Sequence, residues 1–140
     1  MKNIPAEIYS HRRIVEEDDL DELQHVNNVR YVQWIQDIAK EHWEVRATTQ
    51  LKRDFFWVVI RHEIDYKKEA LLNDELLIET YVGDTTFVTS ERFVNIKKAS
   101  TDEILVAAKS IWCLLDTSTK RPTKITEDLR TAKIKATITG

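Results

Sequence analysis

The chain has 140 residues, 42% of them hydrophobic, with four Trp, four Tyr and four Phe. That is enough apolar material for one core of ordinary domain size and too much for a disordered chain. Its 24 acidic and 21 basic residues leave a net charge of −3 with no dominant Lys/Arg cluster, so no nucleic-acid partner is expected. The single cysteine, Cys113, excludes an internal disulfide framework. The opening MKNIPAEIYSHRR lacks the apolar run of a signal peptide, and no stretch approaches the ~20 apolar residues of a membrane helix. A soluble, cytoplasmic protein with no membrane partner is expected. Gly and Pro occur only twice each, so neither a flexible linker nor a Gly-rich phosphate loop is present, and residues 1–140 read as one domain.

Taken in chain order, Ala6 to Val15 reads as a first strand. After Asn27-Asn28 the periodicity changes: Tyr31, Trp34, Ile35, Ile38, Ala39 and His42 recur at helical spacing, which predicts one long helix from about Val29 to Val45. Asn27 or Asn28 supplies its N-cap, because an Asn side-chain oxygen can accept from the first-turn N–H groups. Four runs rich in Val, Ile, Thr and aromatics follow, at Phe55–Tyr66, Glu75–Val82, Phe87–Lys97 and Ile104–Asp116. Short polar breaks at Gly83-Asp-Thr85 and Ser100-Thr-Asp102 favour antiparallel hairpins over parallel crossovers. Thr123 to Lys133 reads as a weak terminal helix or an irregular tail. The expected architecture is α+β, with one long helix on a five-stranded antiparallel sheet.

The connection between the first strand and the helix concentrates polar chemistry: Asp19, Asp21, His25, Asn27 and Asn28 fall within ten residues. A helix N-terminus offers unpaired N–H groups and the positive end of a dipole. Loop acids and capping amides are also ordinary there, so spacing alone leaves both readings open. The four histidines, at 11, 25, 42 and 62, are scattered and show no metal-ligand spacing, so neither a metal nor a cofactor is expected.

The stretch DLDELQHVNNVRYVQWI resembles the active-site motif DLDxNQHVNNxxY of plant acyl-ACP thioesterases, and it is similar to the DxDxxGxVxxxxY region of bacterial 4-hydroxybenzoyl-CoA-type thioesterases. Ile64-Asp-Tyr-Lys-Lys-Glu69 resembles a second motif strand of the same families. The resemblance implies a hot-dog fold, with a central helix wrapped by the sheet, and hydrolysis of acyl-CoA or acyl-ACP in fatty acid metabolism. It implies Asp21 as general base or nucleophile, His25 in support, and Glu69 as a carboxylate that orients or activates water. It makes Asn27, Asn28, Tyr31 and Trp34 candidates for binding the acyl thioester, and the helix N-terminus a candidate oxyanion site. A homodimer, or a homotetramer built as a dimer of dimers, is expected, with substrate across the subunit interface. Leu23 and Ala70 depart from the plant pattern, which has Asn and Cys there, and favour the simpler scheme resting on Asp21. The alternatives are a hot-dog acyl-thioester hydratase or dehydratase, against which the DLDxxQHVNN segment counts, and a non-catalytic module that binds an apolar ligand.

Overall fold

The computed structural model describes residues 7–134, with side chains described for 7–130. The predicted start of the first strand, Ala6, lies outside the described residues. The elements are β1 (Tyr9–Ile14), a 3-10 turn (Glu17–Asp19), α1 (Asn28–Arg46), α2 (Thr49–Asp54), β2 (Phe55–Tyr66), β3 (Glu75–Thr85), β4 (Thr89–Lys98), β5 (Glu103–Asp116) and α3 (Glu127–Ile134). All strand pairs are antiparallel, in the order β1-β3-β4-β5-β2.

The helix forms where the apolar spacing places it. Asn27 is its cap, accepting from the Val29 N–H at 3.0 Å. Its buried residues are the six of the predicted stripe, Tyr31, Trp34, Ile35, Ile38, Ala39 and His42. Strands β3 and β4 alternate buried and half-buried residues along their length, as expected for a sheet with one face on a core. The first half of α1 packs with Leu76, Ile78, Val94, Ile96 and Val106 in the main core. A second cluster gathers Leu114, Ile125 and Leu129 with Trp43, Leu51, Phe55 and Trp57 under α2 and α3.

Two features differ from the sequence reading. Residues 83–85 are strand rather than a break, and the turn falls at 86–88, closed by the Thr86 N–H donating to the Thr89 carbonyl at 2.8 Å. Gly83 is needed inside the strand because a Cβ there would lie 2.6 Å from the ring of Phe93, which stacks on Tyr81. Helix α2 was not expected; Thr48 caps it by accepting from the Leu51 N–H at 3.1 Å. Of the two forms expected for the terminal segment, the helix is the one present, over Glu127–Ile134, anchored by the fully buried Leu129.

A polar layer separates the two clusters. Fully buried Arg92 donates from Nη1 to His42 Nδ1 and to Thr80 Oγ1, both at 3.0 Å. His42 Nδ1 is therefore the acceptor, and its Nε2–H donates to Glu7 at 2.6 Å, while Arg46 pairs with the same carboxylate. The Arg46 guanidinium, followed by the His42 hydrogen bond, holds the Glu7 carboxyl below its usual range against the opposing effect of burial. Burial pushes Arg92 down to about 9, so it remains a cation at neutral pH.

Candidate active site

The loop between β1 and α1 closes on itself through backbone bonds. The Asp21 N–H donates to the His25 carbonyl at 2.8 Å, and Leu20 and Val26 form an antiparallel bridge. Gln24 takes φ of 66°, which lets the chain turn within four residues. Asp21 Oδ1 accepts from the N–H groups of Leu23 at 2.9 Å and His25 at 3.2 Å. This is the side-chain turn that Asp favours, and among the described residues it leaves Oδ2 without a hydrogen bond.

The loop is strapped to the segment after β2. The Val26 N–H donates to the Ala70 carbonyl at 3.1 Å, and His25 bridges Leu71. The Ala70 N–H donates to Tyr31 Oη at 3.0 Å, tying α1 to the same segment. Burial pushes the Tyr31 phenol upward, so it stays protonated as it accepts that bond. These straps bring His25 Nε2 to 3.9 Å from Glu69 Oε1 although 44 positions separate them in the chain.

A cavity of about 180 Å³ results, lined by Asp21, His25, Val26, Asn28, Tyr31, Tyr66, Lys67, Lys68 and Glu69. It holds five of the seven residues singled out from sequence: Asp21, His25, Glu69, Asn28 and Tyr31. The other two lie elsewhere. Asn27 is occupied as the helix cap, and Trp34 is buried in the core with the Arg13 guanidinium 4.8 Å above its ring. Asp19 is buried and structural, accepting from the Glu16 N–H at 2.9 Å and pairing with Arg30 at 3.3 Å. Leu23 is 74% exposed and outside the cavity wall, whereas Ala70 is fully buried.

Sequence reasoning did not single out Tyr66, whose ring sits 5.9 Å from Tyr31 across the cavity. Its place at the end of a strand, next to Lys67-Lys68, was the available signal. It also missed a second cavity, of about 290 Å³, walled by Ala39, Trp43, Phe55, Phe56, Trp57 and Trp112 with Lys40, Glu44 and Lys52 at its rim. No group of three or more His, Cys, Asp or Glu side chains among the described residues is placed to hold a metal ion.

Residues 6–133 match the family model of the acyl-ACP thioesterase N-terminal domain. The chloroplastic acyl-[acyl-carrier-protein] hydrolase FATB3 of Cuphea viscosissima is 28% identical over 85 residues, which is 61% of this chain and 21% of that protein. The chain thus spans about a fifth of the length of the curated relatives it matches. Among solved structures, the probable thioesterase YbaW of Escherichia coli superposes with a TM-score of 0.80 at 22% identity, over 88% of this chain and 94% of that one. The putative oleoyl thioesterase of Lactobacillus plantarum gives a TM-score of 0.82 at 18% identity, over 91% of this chain and 51% of that one. The long helix on a five-stranded antiparallel sheet is the hot-dog fold.

Proposed function

This chain belongs to the acyl-ACP thioesterase N-terminal domain family, and from that membership we propose that it hydrolyses acyl thioesters, releasing a free acid and a thiol, in the cavity of Asp21, His25 and Glu69. The observation that carries the reading is the convergence, at the N-terminus of α1, of a carboxylate with one uncommitted oxygen, an imidazole and a second carboxylate.

Each group has a role in the proposed reaction. Asp21 Oδ2 takes a proton from water, and the resulting hydroxide attacks the thioester carbonyl carbon. Negative charge then develops on the carbonyl oxygen. The amide of Asn28, at the positive end of the α1 dipole, stabilises it; the Val29 N–H is already used by the cap. Collapse of the tetrahedral intermediate breaks the carbon–sulfur bond, and the proton held by Asp21 goes to the leaving thiolate. His25 and Glu69 position the water. The same oxygen of Asp21 could instead attack the carbonyl directly and give a mixed anhydride for water to cleave; the fixed Oδ1 suits either route. Lys67 and Lys68 at the cavity mouth suit the anionic arm of coenzyme A or of an acyl carrier protein.

We place this chemistry in a cytoplasmic homodimer. Strand β2 lies at the sheet edge with twelve residues offering an unpaired side. A two-fold axis through His62 sets Arg61 opposite Glu63 of the partner subunit. A dimer of dimers is the larger form of the same reading. Cys113 is buried and free, which suits a reducing compartment.

The test is thiol release from acyl-CoAs of graded chain length and from one acyl-ACP, with double-bond hydration followed in parallel. Free thiol above the uncatalysed rate supports hydrolysis. Hydration without thiol release would make the chain a hydratase, and neither reaction would leave a binding module.

A further inference from the structure

The two cavities are lined by opposite ends of the same two elements, α1 and β2. On α1 the first is lined by Asn28 and Tyr31 and the second by Ala39, Lys40 and Trp43. On β2, which runs the other way, the first is lined by Tyr66 and the second by Phe55, Phe56 and Trp57. Between them on both elements stands one polar contact: Gln36 Nε2 lies 3.3 Å from His62 Nε2, and His62 Nδ1 lies 2.6 Å from the Oγ of buried Ser110 on β5. Ser110 too falls on the near side of Trp112, the β5 residue in the second cavity.

The proton positions in this bridge are determined by chemistry. An amide nitrogen only donates, so His62 Nε2 accepts and its Nδ1–H donates to Ser110. That is the neutral imidazole, the form that burial favours at His62. The flanking positions are apolar: Ile64 packs on the main core, and Trp43 and Trp57 meet edge to face at 6.0 Å. Three hydrogen-bonded polar side chains in such a stripe form a closed link between α1 and the sheet, and an acyl chain running from one cavity to the other must break it.

We propose that the Gln36–His62–Ser110 bridge sets the acyl-chain length, stopping the chain short of the aromatic cavity. The inference rests on the hydrolysis reading above and deepens it. From Asn28 to Gln36 is about 12 Å along the helix, room for roughly ten extended chain atoms beyond the carbonyl. Short- and medium-chain acyl groups are thus the substrate class while the bridge is closed. Opening the bridge joins the site to the cavity of Trp43, Trp57 and Trp112, and admits long chains.

The test compares octanoyl-CoA with palmitoyl-CoA in the full chain and in the Gln36→Ala, His62→Ala and His62→Gln variants. In either alanine variant the palmitoyl to octanoyl ratio of kcat/KM rises by about tenfold or more, while His62→Gln, which still reaches Gln36, stays near the parent ratio. A second readout uses the tryptophans of the aromatic cavity: palmitoyl-CoA perturbs their fluorescence in the alanine variants and not in the parent. Unchanged ratios, or a parent that already prefers palmitoyl-CoA, would overturn the proposal. If the parent released no thiol from any thioester, the hydrolysis reading would fail. The fluorescence titration would still decide the bridge, because equal palmitoyl-CoA responses in parent and variants would refute it.

Discussion

The two oxygens of Asp21 have different duties. Oδ1 holds the loop by accepting from Leu23 and His25, and an amide oxygen could do the same. Asp21→Asn should therefore fold normally, with an unchanged circular dichroism spectrum, yet lose about a hundredfold or more in kcat because an amide cannot take the proton. Retention of a third of the parent rate would remove Asp21 from the catalytic role. His25 and Glu69 are 3.9 Å apart, too far for a direct hydrogen bond and suited to sharing a water. His25, strapped into the Asp21 loop, should be the costlier loss. Glu69→Ala, at a position 58% exposed, should cost under about one order of magnitude, or ~1.4 kcal/mol of barrier. Steady-state kinetics on both single variants and the double variant decide this; Glu69→Ala as damaging as Asp21→Asn would make Glu69 the principal base. Residue types and spacing were enough to nominate these three. Tyr66 was not singled out with them, because its role depends on which way the end of β2 faces.

Helix α1 both buries the core stripe and presents the site. Asn27→Ala removes the acceptor of the Val29 N–H and should lower stability by about 1 kcal/mol in denaturant unfolding. Because Asn28 follows directly, the same change should lower kcat more than it raises KM. Acid should weaken the fold in two stages. Burial holds His62 below the usual imidazole range, so the folded state favours the neutral form. That contributes no penalty above the ordinary pKa of ~6.5, and stability is lost as pH falls below it, where only the unfolded chain gains the proton. Glu7, held low chiefly by Arg46, adds stability above the ordinary carboxylate range that is lost at still lower pH. His62→Gln should therefore flatten part of the fall in melting temperature between about pH 7 and 5 and leave the lower stage intact. An unaltered profile would show that His62 does not titrate in that window.

At the scale of the whole molecule, two features can be tested together. Arg92 lies fully buried between the apolar clusters, with Nε and Nη2 unpartnered among the described residues. Arg92→Ala would strip His42 and Thr80 of their donor and leave a void, at a cost of about 3 kcal/mol or more in chemical denaturation. The proposed dimer predicts a light-scattering mass near twice the 16.5 kDa of one chain. Arg61→Glu should weaken it by facing Glu63 of the partner subunit, and the charge swap Arg61→Glu with Glu63→Arg should restore it. A monomer at all dilutions, or a swap that fails to rescue, would refute pairing through β2.

Apolar spacing in the chain determined the long helix, and runs rich in β-branched and aromatic residues with short connections determined the β2 strand and the antiparallel pairing. The six buried residues of α1 were legible one by one, since a single stripe has to meet the sheet. The motif around Asp21 and His25 was legible because its members are neighbours in the chain. Tertiary structure alone decided the rest. Position 83 is strand rather than turn because Phe93 fills the space of a side chain there. Glu69 approaches His25 because backbone bonds strap the loop of one to the segment of the other. Gln36, His62 and Ser110, 26 and 48 positions apart, meet only because α1 lies antiparallel to β2 and β5 pairs beside it. Local pattern fixes which face of an element is apolar; which distant polar groups share that face depends on register and packing, and those are properties of the assembled sheet.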